Sequence, residues 1–294
     1  MEVSIVIPTY RDWNRLAKCL NTLTLQSFPK GEIEIIIANN DVQDLPPGDF
    51  ELPTNAKLIN VAQPGSYAAR NAAIEIARGR IIGFTDSDCI PDQNWVRNAV
   101  EYLQTHPEIS RIGGSVKIFY REDKPNEVEL YDNFFAFNQR GYVQNNGTAV
   151  TANMFTYAST FKAVGLFNSK LMSGGDFQWG TIANKNGFKI AYVEDVMVKH
   201  PARNNLTELL KKEKRVGDGQ ANFLHRQSKF ATIFSFTKAF VPKLWEIKMV
   251  FNNGKGIPPG SLLKVLILRQ YLVINRAYAK LQAQISMIDK TKLN

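Results

Sequence analysis

Residues 83–91 read "GFTDSDCIP" and follow directly on the "GRII" of 79–82. An apolar strand that ends in two carboxylates, Asp86 and Asp88, and is then stopped by Pro91 is the pattern on which the fold turns. In a strand, residues i and i+2 point the same way, so Asp86 and Asp88 are expected to face one point in space. Two like charges that close repel each other unless a proton, a Lys or Arg, or a hard divalent cation lies between them. Asp, Ser and Pro together also make an ordinary turn. The surroundings have to decide.

Upstream, "VSIVI" (3–7) and "IEIIIA" (33–38) are short apolar β-branched runs; 57–61 is a weaker one and 80–85 a fourth. Residues 12–27 read as an amphipathic helix, with Leu16, Leu20, Leu23 and Leu25 among polar neighbours. Residues 66–78 have high helix propensity, with Ser66 as N-cap. The strands are apolar throughout, which fits strands covered on both faces. This alternation predicts an open α/β sheet, mainly parallel in this half, whose ligands bind at the carboxyl ends of the strands. Pro8-Thr9-Tyr10, Asn39-Asn40-Asp41 and Asp86-Ser87-Asp88 all fall at such ends. Three polar clusters on one rim favour a site over a turn. Further on, 93–105 and 127–137 read as helices, and 151–168 as a strand followed by a short helix from Ser159. Residues 173–195 read as a flexible Gly pair, a helix from about Asp176 and a strand near 188–193. No repeat, low-complexity segment or linker interrupts the first two hundred residues.

The net charge of +9 is unevenly spread. Residues 1–202 carry 19 Lys/Arg against 22 Asp/Glu, or −3, and residues 203–294 carry 17 against 5, or +12. The chain thus divides into a domain over 1–202 and a basic, amphipathic α-helical extension over 203–294, which calls for an anionic partner. Within it, 205–228, 233–251 and 261–285 mix aliphatic and aromatic residues with lysines, and Lys264, Arg269, Arg276 and Lys280 interrupt the last run. The pattern suits helices lying in a membrane interface, where Lys and Arg snorkel and aromatics sit at headgroup level. A helical subdomain with a solvated basic face, or a homodimer built from these helices, gives the same pattern. The many aliphatic residues and the lack of a binding motif argue against nucleic acid. Two cysteines, Cys19 and Cys89, make no disulfide framework and suit a reduced, cytoplasmic setting. The opening "MEVSIVIPTY" has no signal-peptide pattern, and no apolar run approaches the roughly 20 residues of a membrane span. His106 and His225 read as surface residues.

These clusters together resemble the GT-A fold family 2 inverting glycosyltransferases. "SIVIPTYRDWNRLAKCLNTLTLQSF" looks like the family's opening strand, nucleotide loop and first helix. "ARNAAIEIARGRIIGFTDSDCIPDQNWV" looks like its central segment with the D-x-D motif, and "SGGDFQWG" like the segment with its catalytic base. The resemblance covers roughly residues 3–200. It implies a Rossmann-like mixed sheet flanked by helices. It also implies metal-dependent transfer of a sugar from a nucleotide-diphosphate sugar, a UDP-sugar by preference, to a hydroxyl of a glycan or lipid-linked glycan. The implied setting is surface polysaccharide assembly, with the protein peripheral on the inner face of the cell membrane.

The same resemblance implies roles. Asp88 would be the main protein ligand of Mn²⁺ or Mg²⁺, with Asp86 bonding the ribose or reaching the metal through water. Ser87 lies between them. His200 stands where some members have an extra metal or diphosphate contact, although a lone histidine is as readily structural. Pro8, Thr9, Tyr10 and Arg11 follow the first strand, where the nucleotide is held; Tyr10 is expected to pack rather than stack. Asn39 replaces the usual aspartate that accepts the N3 proton of uracil, a bond an amide carbonyl also accepts. Arg70 would steady a phosphate, and Gly174 and Gly175 would let the loop close over the donor. Asp176 stands at the position of the base that takes the acceptor proton; alone, it would read as a helix cap. Trp95 and Trp179 serve equally as acceptor-side walls or as core. A sugar-phosphate nucleotidyltransferase would want a glycine-rich loop where "PTYRDWN" stands. A binding-only relative would not need Asp86, Asp88 and Asp176 together.

Overall fold

The computed structural model describes residues 1–223, 233–234 and 236–291; the end of the helix expected over 205–228, with His225, lies outside them. The chain forms two compact units, Met1–Ile118 with Phe137–Pro201, and Phe119–Ala136 with Ala202–Asn294.

The first unit is built on one sheet. Its strands are β1 (Val3–Thr9), β2 (Ile33–Asn39), β3 (Ala56–Asn60), β4 (Ile81–Thr85), β5 (Ile90–Pro91), β6 (Arg111–Phe119), β7 (Asn153–Tyr157) and β8 (Ile190–Pro201). They lie in the order β3-β2-β1-β4-β7-β6-β8-β5. The pairs β1–β2, β1–β4 and β2–β3 are parallel; β4–β7, β6–β7 and β5–β8 are antiparallel. The apolar runs of β1 and β2 are explained by burial on both faces. Val3, Ile5, Ile7, Ile33, Ile35 and Ile37 pack with α1 (Trp13–Thr24) and α3 (Trp95–Thr105). Val6, Ile36 and Ala38 pack with α2 (Ser66–Ile76), α6 (Ala158–Val164) and α7 (Gly175–Lys185). The chain leaves β1 for β2 and β3 on one side and returns to β4 on the other. The carboxyl ends of β1 and β4 therefore flank the topological switch point, where such sheets bind ligands.

Several expectations need correction. Pro91 is not a strand stop: it lies in the edge strand β5, opposite Val198. An edge tolerates a residue that cannot donate to the ladder. The N-cap of α2 is Gly65, at φ +115°, and not Ser66. Its N–H donates to Asn40 Oδ1 at 2.6 Å. Strand β6 and helix α5 (Gln139–Asn146) are unforeseen. The β6 run "RIGGSVKIF" hides behind a Gly pair that packing requires: a Cβ on Gly114 would lie 2.1 Å from the Val196 carbonyl. Strand β8 has 12 residues, well beyond the expected 188–193.

The second unit comprises α4 (Glu127–Phe135), α8 (Leu206–Phe223), a 3₁₀ turn at Lys238–Phe240, α9 (Leu244–Asn253) and α10 (Pro259–Thr291). Asn126 starts α4 with a capping box: its side chain accepts from Val128 and Glu129 N–H, and Glu129 returns to the Asn126 N–H. Leu130 and Tyr131 of α4 then pack with Leu209, Val265 and Leu272. The excursion 119–136 thus groups with the C-terminal helices, so the compact units do not coincide with the sequence division at 202. Two cations expected to snorkel are used internally. Arg269 holds Glu246 at 2.8 Å, and Arg276 is bonded to the buried Glu213. Lys264 pairs with Glu127 at 2.8 Å. Among the described residues, no helix is long and apolar enough to cross a membrane.

Candidate active site

Strand β4 stops at Thr85, and the Cys89 N–H donates to the Asp86 carbonyl at 3.1 Å, closing a turn. The strand alternation expected of Asp86 and Asp88 therefore does not apply, and each carboxylate has its own partners. Asp86 Oδ1 lies 2.5 Å from Arg70 Nη2. Asp88 Oδ2 lies 3.4 Å from His200 Nε2 and 3.6 Å from Arg15 Nη1. The β5–β8 pairing, with Ile90 opposite Lys199, is what brings His200 to Asp88. Ser87 donates to Asp12 Oδ2 at 3.1 Å and so ties the turn to the start of α1.

His200 is buried, and its Nδ1 lies 2.7 Å from the Pro201 carbonyl. A carbonyl only accepts, so Nδ1 carries a proton. In the neutral ring, Nε2 then presents a lone pair to the Asp88 carboxylate. Arg15 stands beside the same carboxylate oxygen, and a cation between Nε2 and that carboxylate would be held by both. A backbone carbonyl on the far nitrogen is also how metal-bound imidazoles are usually oriented. Among the described residues, no three His, Cys, Asp or Glu side chains gather as a metal-binding group. Asp88 and His200 would offer a cation one carboxylate oxygen and one imidazole nitrogen, with its other positions left to phosphate and water.

Asp176 lies in the first turn of α7, whose N-cap Gly174 adopts φ +79°. The residue is only 8 % exposed. It accepts from Tyr67 Oη at 2.9 Å, from the Phe177 N–H at 2.9 Å and from the Thr151 N–H at 3.3 Å. Burial nevertheless holds its pKa above the ordinary aspartate value. Burial and the Asp176 charge push the Tyr67 hydroxyl up as well, so it remains a donor. Gly175 is needed here, because a Cβ would come within 2.8 Å of the Tyr67 ring. One turn along α2, the Arg70 guanidinium stands 5.8 Å from that ring's centroid. Helix α2 thus links the Asp176 carboxylate to Asp86.

Thr9 is buried at the end of β1 with no partner for its hydroxyl among the described residues, and Pro8 is half-buried beside it. Tyr10 is 59 % exposed, which reverses the expectation that it packs. Arg11, at φ +52°, stands 5.3 Å from the Tyr10 ring centroid and bonds Asp41 at 2.7 Å. The Arg11 bond holds the Asp41 carboxyl below its ordinary pKa. Asn39 is fully buried, and its amide donates to the carbonyls of Asp41 and Asp44 and to Asn60 Oδ1. It shapes the loop after β2; its side chain is not presented to a base. Trp95 and Trp179 are core residues and not walls. Trp95 is buried, bonds Asn153 Oδ1 at 2.9 Å and packs on Phe155. Trp179 is buried, bonds the Gly165 carbonyl at 2.8 Å and stacks on Phe161.

Tyr67, Arg15 and Asp12 escaped the sequence reading. Tyr67 had a usable signal, since it lies three residues before Arg70 and so on the same helix face. Arg15 and Asp12 had none, because their partners are some 75 positions away in Asp88 and Ser87.

Residues 4–164 match the family model of glycosyl transferase family 2. The chain is 36 % identical over 229 residues to glycosyltransferase AglE of Haloferax volcanii, covering 74 % of this chain and 72 % of AglE. It is 22 % identical to the dolichyl N-acetyl-alpha-D-glucosaminyl phosphate 3-beta-D-2,3-diacetamido-2,3-dideoxy-beta-D-glucuronosyltransferase of Methanococcus voltae, over 83 % of this chain and 80 % of that one. Among solved structures, the mannosyltransferase PcManGT from Pyrobaculum calidifontis, in complex with GDP-Man and Mn²⁺, superposes with a TM-score of 0.57 at 15 % identity. That match covers 99 % of this chain and 75 % of PcManGT. S. aureus TarS 1–349 superposes at 0.54 and 16 % identity, over 99 % and 92 % of the two chains. Against the longer TarS structure the chain spans 55 % of the length. These likenesses show the GT-A fold.

Proposed function

The chain belongs to glycosyltransferase family 2, and from that premise we propose that it moves one sugar from a nucleotide-diphosphate donor to an acceptor hydroxyl in a single inverting displacement. The observation that carries the reading is Asp176: a buried carboxylate, raised in pKa, held by Tyr67 and joined through α2 to the turn that bears Asp86 and Asp88. A base is most effective when its pKa approaches the working pH, and burial moves Asp176 that way. Asp176 takes the proton of the attacking hydroxyl. Tyr67 and two backbone N–H groups fix the carboxylate's direction. Arg70 holds Asp86, and Tyr10 and Arg11 offer an exposed ring and a cation at the end of β1 for the nucleotide. A bound Mn²⁺ or Mg²⁺ held by Asp88 and His200 would supply Lewis-acid stabilisation of the leaving diphosphate.

The donor is taken as a UDP-sugar, supported by the TarS structures with UDP-GlcNAc and UDP; the GDP-Man of PcManGT keeps guanosine as the competing base. The acceptor is a glycan or lipid-linked glycan, supported by the dolichyl N-acetyl-alpha-D-glucosaminyl phosphate in the name of the Methanococcus relative. Such an acceptor belongs at a membrane, so the enzyme is read as peripheral on the inner face, in surface polysaccharide assembly.

Asp176→Asn tests the reading. Turnover should fall about a thousandfold, while UDP with Mn²⁺ still raises the melting temperature by mass action. Asp88→Ala should abolish the metal-dependent part of that rise. NMR of the product should show the anomeric configuration inverted. Near-normal turnover in Asp176→Asn, or no thermal shift with any nucleoside diphosphate, would overturn the proposal.

A further inference from the structure

The second unit carries an edge that its own core leaves uncovered. From 240 to 245 the chain reads "FVPKLW". Leu244 is 75 % and Trp245 60 % exposed, with Phe240 and Val241 more than half exposed beside them. Phe251, two turns along α9 from Leu244, is exposed as well. The buried face of α9 is the other one, with Glu246 and Val250. Large side chains this exposed and this contiguous mark an interaction surface.

Charge says what covers it. Residues 233–258 contain Lys238, Lys243, Lys248 and Lys255 and a single acid, Glu246. That acid is buried and held by Arg269, with Lys243 at 3.7 Å. The exposed face of the segment is thus aromatic, aliphatic and cationic, with no anionic group to oppose an anionic partner. A second copy would bring the same lysines against these. An anionic bilayer surface takes both halves of the pattern: headgroups meet the lysines, and rings and aliphatic side chains enter the acyl boundary. With no helix in the described residues able to span, the mode is insertion at the interface.

We propose that Phe240–Lys255 is the segment by which this enzyme docks on anionic lipid, with Leu244 and Trp245 inserting and Lys248 and Lys255 meeting headgroups. This rests on the peripheral-membrane reading above for its purpose and on the exposed segment for its evidence.

The test uses the full chain and vesicles of phosphatidylcholine with or without phosphatidylglycerol, with no donor or acceptor present. Trp13, Trp95 and Trp179 are buried, so Trp245 is the indole whose emission can respond. Expected are co-sedimentation with the anionic vesicles alone, a blue shift on binding, and loss of both at high salt. Leu244→Ser should weaken partitioning about tenfold or more, and Lys248→Glu at least about fivefold. Both residues are exposed, so donor hydrolysis in solution should be unchanged. Vesicle binding without any donor turnover would overturn the catalytic reading and leave this one standing. Absent or Leu244-independent binding would overturn it. So would a vesicle-free blue shift at high protein concentration that Leu244→Ser abolishes, which would give the edge to a second copy.

Discussion

Tyr67 illustrates how much one hydroxyl decides. Its hydrogen bond stabilises the ionised Asp176 against a burial that opposes it. Tyr67→Phe removes a stabiliser of the charged form, so the Asp176 pKa rises further and the carboxylate ionises only at higher pH. The acidic limb of the kcat/KM profile should therefore move to higher pH, and the plateau should fall roughly ten- to hundredfold. A lower plateau with an unmoved limb would mean that Tyr67 only fills space. At this scale the motifs around Asp88 and Asp176 stand out in the sequence, because each is local in the chain. The turn at Asp86–Cys89 was not legible there. Asp, Ser and Pro allow both strand end and turn, and only the hydrogen bond to Cys89 chooses.

Among the elements, the apolar strands and α1–α3 followed from periodicity, since both sheet faces are covered and the runs are unbroken. The C-terminal helices show what periodicity leaves open. A Lys or Arg interrupting an apolar helix reads the same whether it snorkels or meets a buried acid. Here Arg276 meets Glu213, which is buried. Arg276→Met should cost about 3–5 kcal/mol in urea unfolding, because it strands a buried carboxylate. The double variant with Glu213→Met should recover most of that loss. Equal stability of single and double variants would show that the pair is not coupled.

For the whole molecule, the path of the chain matters more than any element. Segment 119–136 leaves the sheet unit, packs Leu130 and Tyr131 among the C-terminal helices, and the chain then returns to the sheet at Phe137. A chain cut after residue 202 keeps α4 but loses its cover from Leu209, Val265 and Leu272. It should aggregate or bind a hydrophobic dye where the full chain does not; a monodisperse, dye-silent 1–202 fragment would contradict this. Length, charge asymmetry, strand patterning and the motif residues were determined by the sequence alone, because each depends on neighbours within a few positions or on totals. The meeting of His200 with Asp88, of Tyr67 with Asp176 and of α4 with α10 was decided only in the tertiary structure. Those partners are separated by 109 positions or more, and sheet register and helix packing, which no local pattern encodes, set their distances.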